Sequence, residues 1–174
     1  LGDVYKRQGW PEAAVRAGKI IRRGAFARVA HCGAMTPSIA FVGAGPTTLY
    51  ALHALLSQGA VAARITVIEA RSSAGAGSPY SAEWNDRAML SNIASVEIPP
   101  VTETLAEWLA SRTRSELQAL DVDAASLDER SFVPRLALGR YFEDQFAAIV
   151  KRARADGVAI EVMTDCRVVD AANR

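Results

Sequence analysis

The chain has 174 residues, half of them hydrophobic and 22% charged, an ordinary composition for one domain long enough to bury a core. No apolar run approaches the roughly 18 residues of a membrane span. The net charge of +1 divides unevenly: residues 1–34 hold seven basic and two acidic residues, and the remainder 13 and 17. That mildly acidic body lacks the basic patch nucleic-acid binding requires, so neither a membrane nor a nucleic acid is an expected partner. Two cysteines, Cys32 and Cys166, form no disulfide framework and no metal spacing, and His31 beside Cys32 is not a metal site by itself. The expected compartment is a reducing cytoplasm, with no bound metal.

Residues 1–34 look foreign to the domain that follows. Leu1 to Gln8 resembles the in-frame translation of a sequencing adapter, and residues 9–34 are arginine-rich, acid-poor and aperiodic. They read as a non-native or disordered extension upstream of a start at Met35, the competing reading being a basic targeting segment. The domain is expected over residues 35–174.

The chain is organised around Ser38 to Leu56. Ile39 to Val42 read as a short buried strand bounded by Gly43. From Leu49 the apolar positions 49, 52, 55 and 56 mark one helical face. Between them lies Gly43-Ala-Gly45-Pro46-Thr47-Thr48, a Gly-x-Gly-x-x-Thr turn. Such a junction aims free N–H groups and the positive end of a helix at one point, which suits a pyrophosphate. Thr48 stands where a third glycine would give close helix–strand packing. The threonine either pushes the helix outward or puts a hydroxyl within reach of phosphate.

Gly59 stops that helix as its C′ residue. Ala63 to Glu69 is a second, β-branched strand, so strand, helix and strand form a right-handed parallel unit. Glu69 follows Thr48 by 21 positions. A carboxylate there accepts both hydroxyls of an adenosine ribose and repels a 2′-phosphate. Residues 71–101 carry no period, and so long an irregular stretch suits a ligand cover, an ordinary surface excursion being the alternative.

Thr104 to Glu107 is a capping box opening a helix to about Arg112, with Trp108 read as core or lid packing, the alternative being a stacking platform. Residues 113–131 read as a short surface helix and loop; Asp121, Asp123, Asp128 and Glu129 lack calcium-loop spacing and read as a solvated face. Phe132 to Arg135 leads into a helix whose apolar face holds Leu138, Phe142, Phe146, Ile149, Val150 and Ala153, ended by Gly157. Val158 to Met163 and Arg167 to Asp170 are two further strand candidates. The fold class is α/β, a parallel sheet flanked by helices.

In order, Val42-Gly-Ala-Gly-Pro-Thr-Thr-Leu49, Val67-Ile-Glu69, Gly75-x-Gly-x-Pro-Tyr80, Met89-Leu-x-Asn92, Glu97-Ile-Pro-Pro100, Glu107-Trp-Leu109 and Phe132-x-Pro-Arg-x-x-x-Gly-Arg-Tyr141 follow one another. Together they resemble the N-terminal region of bacterial FAD/NAD(P)-binding proteins, in the flavin-dependent oxidoreductase superfamily and related to N-hydroxylating monooxygenases. The resemblance covers about residues 37–171. It implies a Rossmann-like FAD-binding domain, incomplete at its C-terminus. Gly43, Gly45, Pro46, Thr47 and Thr48 would cradle the FAD pyrophosphate, and Glu69 would bind the ribose. The loops carrying Tyr80 and Asn92 would lie along the flavin half, and the strand near Val168 would face the adenine. Arg135 would hold a cofactor phosphate or anchor a loop, the alternative being a structural salt bridge. Full-length relatives use NAD(P)H at a second site and act on a small-molecule substrate; the present chain is expected to bind FAD weakly and to be inactive alone. An NAD-dependent dehydrogenase domain, a methyltransferase using S-adenosylmethionine and a non-catalytic nucleotide-binding module remain the competing readings. No catalytic residue can be named; Asp86, Arg87 and His53 are weak candidates, His53 reading as a partly buried structural residue.

Overall fold

A computed structural model describes residues 36–59, 63–123, 128 and 130–172. The expectations for residues 1–34, for His31 and Cys32 and for Glu129 lie outside the described residues.

Three strands form one parallel sheet: β1 (Ser38–Val42), β2 (Arg64–Ile68) and β3 (Ile160–Met163), in the order β1-β2-β3. The ladder aligns Ile39, Ile65 and Ile160 in one row and Phe41, Val67 and Val162 in another. Alternate residues of a strand share a face, so these two β-branched and aromatic rows form one apolar surface. Ile65 and Val67 are fully buried. The crossover between β1 and β2 is α1 (Pro46–Ser57), whose Leu49 and Leu52 are also fully buried. Gly59, at φ +101, ends it in the left-handed conformation a C′ residue adopts.

Between β2 and β3 lie α2 (Leu105–Ala110), α3 (Arg114–Ala119) and the long α4 (Arg135–Ala155). Thr104 accepts from the Glu107 amide at 3.1 Å while the Glu107 carboxylate accepts from the Thr104 amide at 2.7 Å. Thr113 and Glu116 repeat this arrangement at the start of α3, a second capping box the sequence reading passed over. On α4, Leu138, Phe142, Phe146, Ile149, Val150 and Ala153 are buried. This face packs on α1 and α2. Trp108 is fully buried beside Tyr141 and donates its indole N–H to Asp144 at 3.0 Å, so it is core.

The expected strand over Arg167 to Asp170 is not formed. After β3 the chain turns at Asp165, which has φ +52. The Asp165 amide donates to the Arg71 carbonyl and the Cys166 amide to the Glu69 carbonyl. These bonds carry the chain across the end of β2, and residues 167–170 make no ladder with the described residues. A strand is a non-local object: β-branched residues such as Val168 and Val169 favour the extended backbone but do not supply its partner.

Candidate nucleotide-binding site

The site begins where β1 stops. Gly43, at φ +91, turns the chain, and its amide donates to the Ile68 carbonyl at 2.8 Å, tying the turn to the end of β2. Pro46 opens α1 at a position that needs no N–H. The amides of Gly45, Thr47 and Thr48 have no partner among the described residues, and the first turn of α1 carries no acidic side chain. Three unpartnered donors at the positive end of a twelve-residue helix suit a pyrophosphate. The Thr48 hydroxyl is buried and donates to the Gly43 carbonyl at 2.7 Å. Its proton closes the turn from inside, so what Thr48 offers an anion is its amide.

Glu69 follows β2 and is buried, 5% exposed. One carboxylate oxygen accepts from the Ala44 amide at 2.7 Å and the other from the Arg71 amide at 3.0 Å. The carboxylate therefore fastens the glycine turn to the end of β2, a bond that sequence reasoning missed because nothing in the spacing signals it. An ionised carboxylate has about four acceptor positions, so capacity for ribose hydroxyls remains. Arg71 was also missed. Its guanidinium donates to the Ser78 hydroxyl at 2.8 Å and to Glu83 at 3.4 Å, and lies 3.9 Å from Glu69. A basic residue two positions beyond the strand-end acid was the available signal.

The loop after Arg71 runs between the glycine turn and α4. The Gly75 amide donates to the Ala44 carbonyl at 2.6 Å. A Cβ on Gly75 would stand 2.5 Å from the Phe142 carbonyl oxygen, and one on Gly77 3.0 Å from the Gly45 Cα. On the helix side, a Cβ on Gly139 would overlap the Tyr80 carbonyl oxygen. Backbone meets backbone at all three places. The Tyr80 ring then packs on Phe142, centroids 5.3 Å apart.

A second cluster stands at the start of α4. The Arg135 amide donates to the Met89 carbonyl at 2.8 Å, and its guanidinium to the Leu90 carbonyl at 3.1 Å and the Asn85 side chain at 3.4 Å. Asn92 is exposed two residues beyond the bridge between Leu90 and Pro134. Asn85 in turn donates to the Pro79 and Ser81 carbonyls, linking this cluster to the Tyr80 loop. Val168 lies apart from both, on the exposed segment that leaves the Cys166 contact with Glu69. Tyr141 is buried, its hydroxyl donating to the Glu103 carbonyl at 2.8 Å. Burial pushes its pKa up from the usual phenol value, so it serves as a neutral donor. Of the weak acid–base candidates, Arg87 pairs with Asp121 at 2.7 Å and the Asp86 carboxylate accepts from the Ala88 amide at 2.9 Å. His53 is half-buried on α1. No group of three or more His, Cys, Asp or Glu residues that could hold a metal occurs among the described residues.

A parallel sheet with a glycine turn leading into a helix N-terminus defines a dinucleotide-binding module of the Rossmann type. The chain belongs to the FAD-NAD(P)-binding family, whose model matches residues 40–174. It is similar to the uncharacterized protein YdhS of Escherichia coli (strain K12), with 46% identity over 132 residues. The match takes in 76% of this chain and 24% of YdhS, so the chain spans about a quarter of that relative's length. No solved structure matches the chain. The module binds a flavin or nicotinamide nucleotide, and no helix among the described residues is long and apolar enough to cross a membrane.

Proposed function

We propose that this chain supplies the FAD-binding part of a flavin-dependent, NAD(P)H-linked oxidoreductase or monooxygenase acting on a small molecule in the cytoplasm. The observation that carries the choice of FAD is the loop wedged between the glycine turn and α4 by Gly75, Gly77 and Gly139. It extends the site past the pyrophosphate and joins it, through Asn85, to the Arg135 cluster. An NAD-type domain needs no such extension and passes from its second strand quickly into another helix.

In this reading the Gly45, Thr47 and Thr48 amides bind the pyrophosphate, with Gly43 and Pro46 shaping the turn. Glu69 accepts from the ribose hydroxyls while still holding the Ala44 amide. The Tyr80 loop lies along the flavin half of the cofactor, and Arg135 orients the loop that presents Asn92 to the same half. Val168 lines the adenine end. Bound flavin would supply electron or hydride transfer, and the chain's own contribution is to bind it, orient it and keep water from one side. In a longer protein built on this module, NAD(P)H and substrate would engage a second site.

The test is a calorimetric titration of the chain with FAD, NAD+ and S-adenosylmethionine. FAD is expected to bind most tightly, with one site per chain and displacement of the others. Tighter binding of NAD+ would favour the dehydrogenase reading, and no nucleotide binding at all would overturn the proposal.

A further inference from the structure

In NADP-binding members of this fold an arginine near the end of the second strand accommodates the 2′-phosphate, and Arg71 stands two residues beyond Glu69. Its guanidinium is already engaged on three sides. Ser78 accepts from it at 2.8 Å and Glu83 at 3.4 Å, and Glu69 lies 3.9 Å away. Two carboxylates around one guanidinium leave this end of the site with a net negative charge. The Arg71 amide shares the same Glu69 carboxylate, so this cluster borders the atoms assigned to the ribose.

We propose that Glu83 is a specificity-determining residue: by holding Arg71 against Ser78 it restricts the site to adenosine nucleotides with a free 2′-hydroxyl and closes it to 2′-phosphorylated ones. A 2′-phosphate brings close to two negative charges towards Glu69 and Glu83, with the nearby cation already neutralised. A ribose diol instead donates to the acceptor positions left on Glu69. The consequence is that NADP(H)-type ligands must be received elsewhere in any longer protein built on this module. The inference rests on the assignment of Glu69 to the ribose made above.

The experiment measures binding of ADP-ribose and its 2′-phosphate to the full chain by calorimetry, for wild type, Glu83→Gln and the double variant Glu83→Gln/Arg71→Ala. Glu83 is 65% exposed at its side chain, so E83Q should melt with wild type. Wild type is expected to prefer ADP-ribose. An exposed ion pair is worth up to about 1 kcal/mol, so E83Q should narrow that preference by about three- to fivefold through a gain for the phosphorylated ligand. The second substitution should abolish the gain, because the freed guanidinium is its source. Equal shifts for both ligands in E83Q, or a gain that survives loss of Arg71, would overturn the inference while leaving the FAD proposal standing. If FAD binds but neither ADP-ribose ligand does, the ribose assignment fails and this inference with it.

Discussion

Replacing Gly139 by alanine sets two effects of opposite sign against each other. Gly139 lies in the first turns of α4 and is fully helical, so alanine should stabilise the helix by about 1 kcal/mol on backbone propensity alone. The added Cβ, however, would overlap the Tyr80 carbonyl oxygen far inside the 3.0 Å that real Cβ atoms respect, and would also stand 3.2 Å from the Tyr80 carbonyl carbon. The obstacle is backbone, not the far end of a flexible side chain, so relief requires moving α4 or the Tyr80 turn. Overpacking of this kind costs about 1–3 kcal/mol or more. With the overlap this deep, the net effect should be a loss of about 1–2 kcal/mol, or roughly 3–8 °C in Tm for a domain of this size. The same displacement loosens the loop over the glycine turn, so FAD affinity should fall as well. Thermal melts followed by circular dichroism and an FAD titration on the same sample check both parts. A G139A variant that melts at or above wild type and binds FAD equally would mean that helix propensity has won and that the wedge does not exist.

Glu69→Ala removes a buried carboxylate from two amides at once; a charged hydrogen bond is worth about 1.5–3 kcal/mol, so urea denaturation should show a loss of about 3–6 kcal/mol together with weakened nucleotide binding. A loss of binding without any loss of stability would mean that the bond to Ala44 does not hold the turn. The capping carboxylates give a pH signature: hydrogen bonds from the Thr104 backbone and side chain lower the pKa of Glu107, and bonds from the Thr113 side chain and backbone lower that of Glu116. A depressed folded pKa stabilises above the unfolded value, near 4.5 for Glu, and that contribution fades as pH falls through the folded values. The Tm difference between wild type and Glu107→Ala/Glu116→Ala should therefore be largest near neutrality and shrink as pH falls from about 4.5 through the lowered folded values; a gap that widens in acid would contradict the assignment.

Elements whose reasons are local were legible in the chain. The strand runs at Ile39 and Ile65, the apolar spacing from Leu138 to Ala153, and the stops at Gly59 and Gly157 each depend on residues within a few positions. The Thr113 box was equally legible, having the same Thr-x-x-Glu form as Thr104, and was overlooked among the charges that follow it. What could not be read is the path of residues 71–101. It is set by glycines meeting distant backbone, Gly75 on Phe142 and Gly139 on Tyr80, and a missing side chain leaves no pattern to recognise. Glu69 shows the same limit within the site. Its place at the end of β2 was visible, but its bond to the Ala44 amide follows from the turn folding back over that strand end, and the same geometry brings Arg71 to Ser78 and Glu83.

In the proposed complex the amides of Gly45, Thr47 and Thr48 receive the pyrophosphate of FAD. Nitrogen-15 amide spectra recorded as FAD is added report on those groups one by one, even for weak binding. These three amides are expected to shift most, in step with one another and with one affinity. Shifts confined to the opposite end of α1, in the cavity lined by His53, Thr102 and Arg152, would contradict that placement.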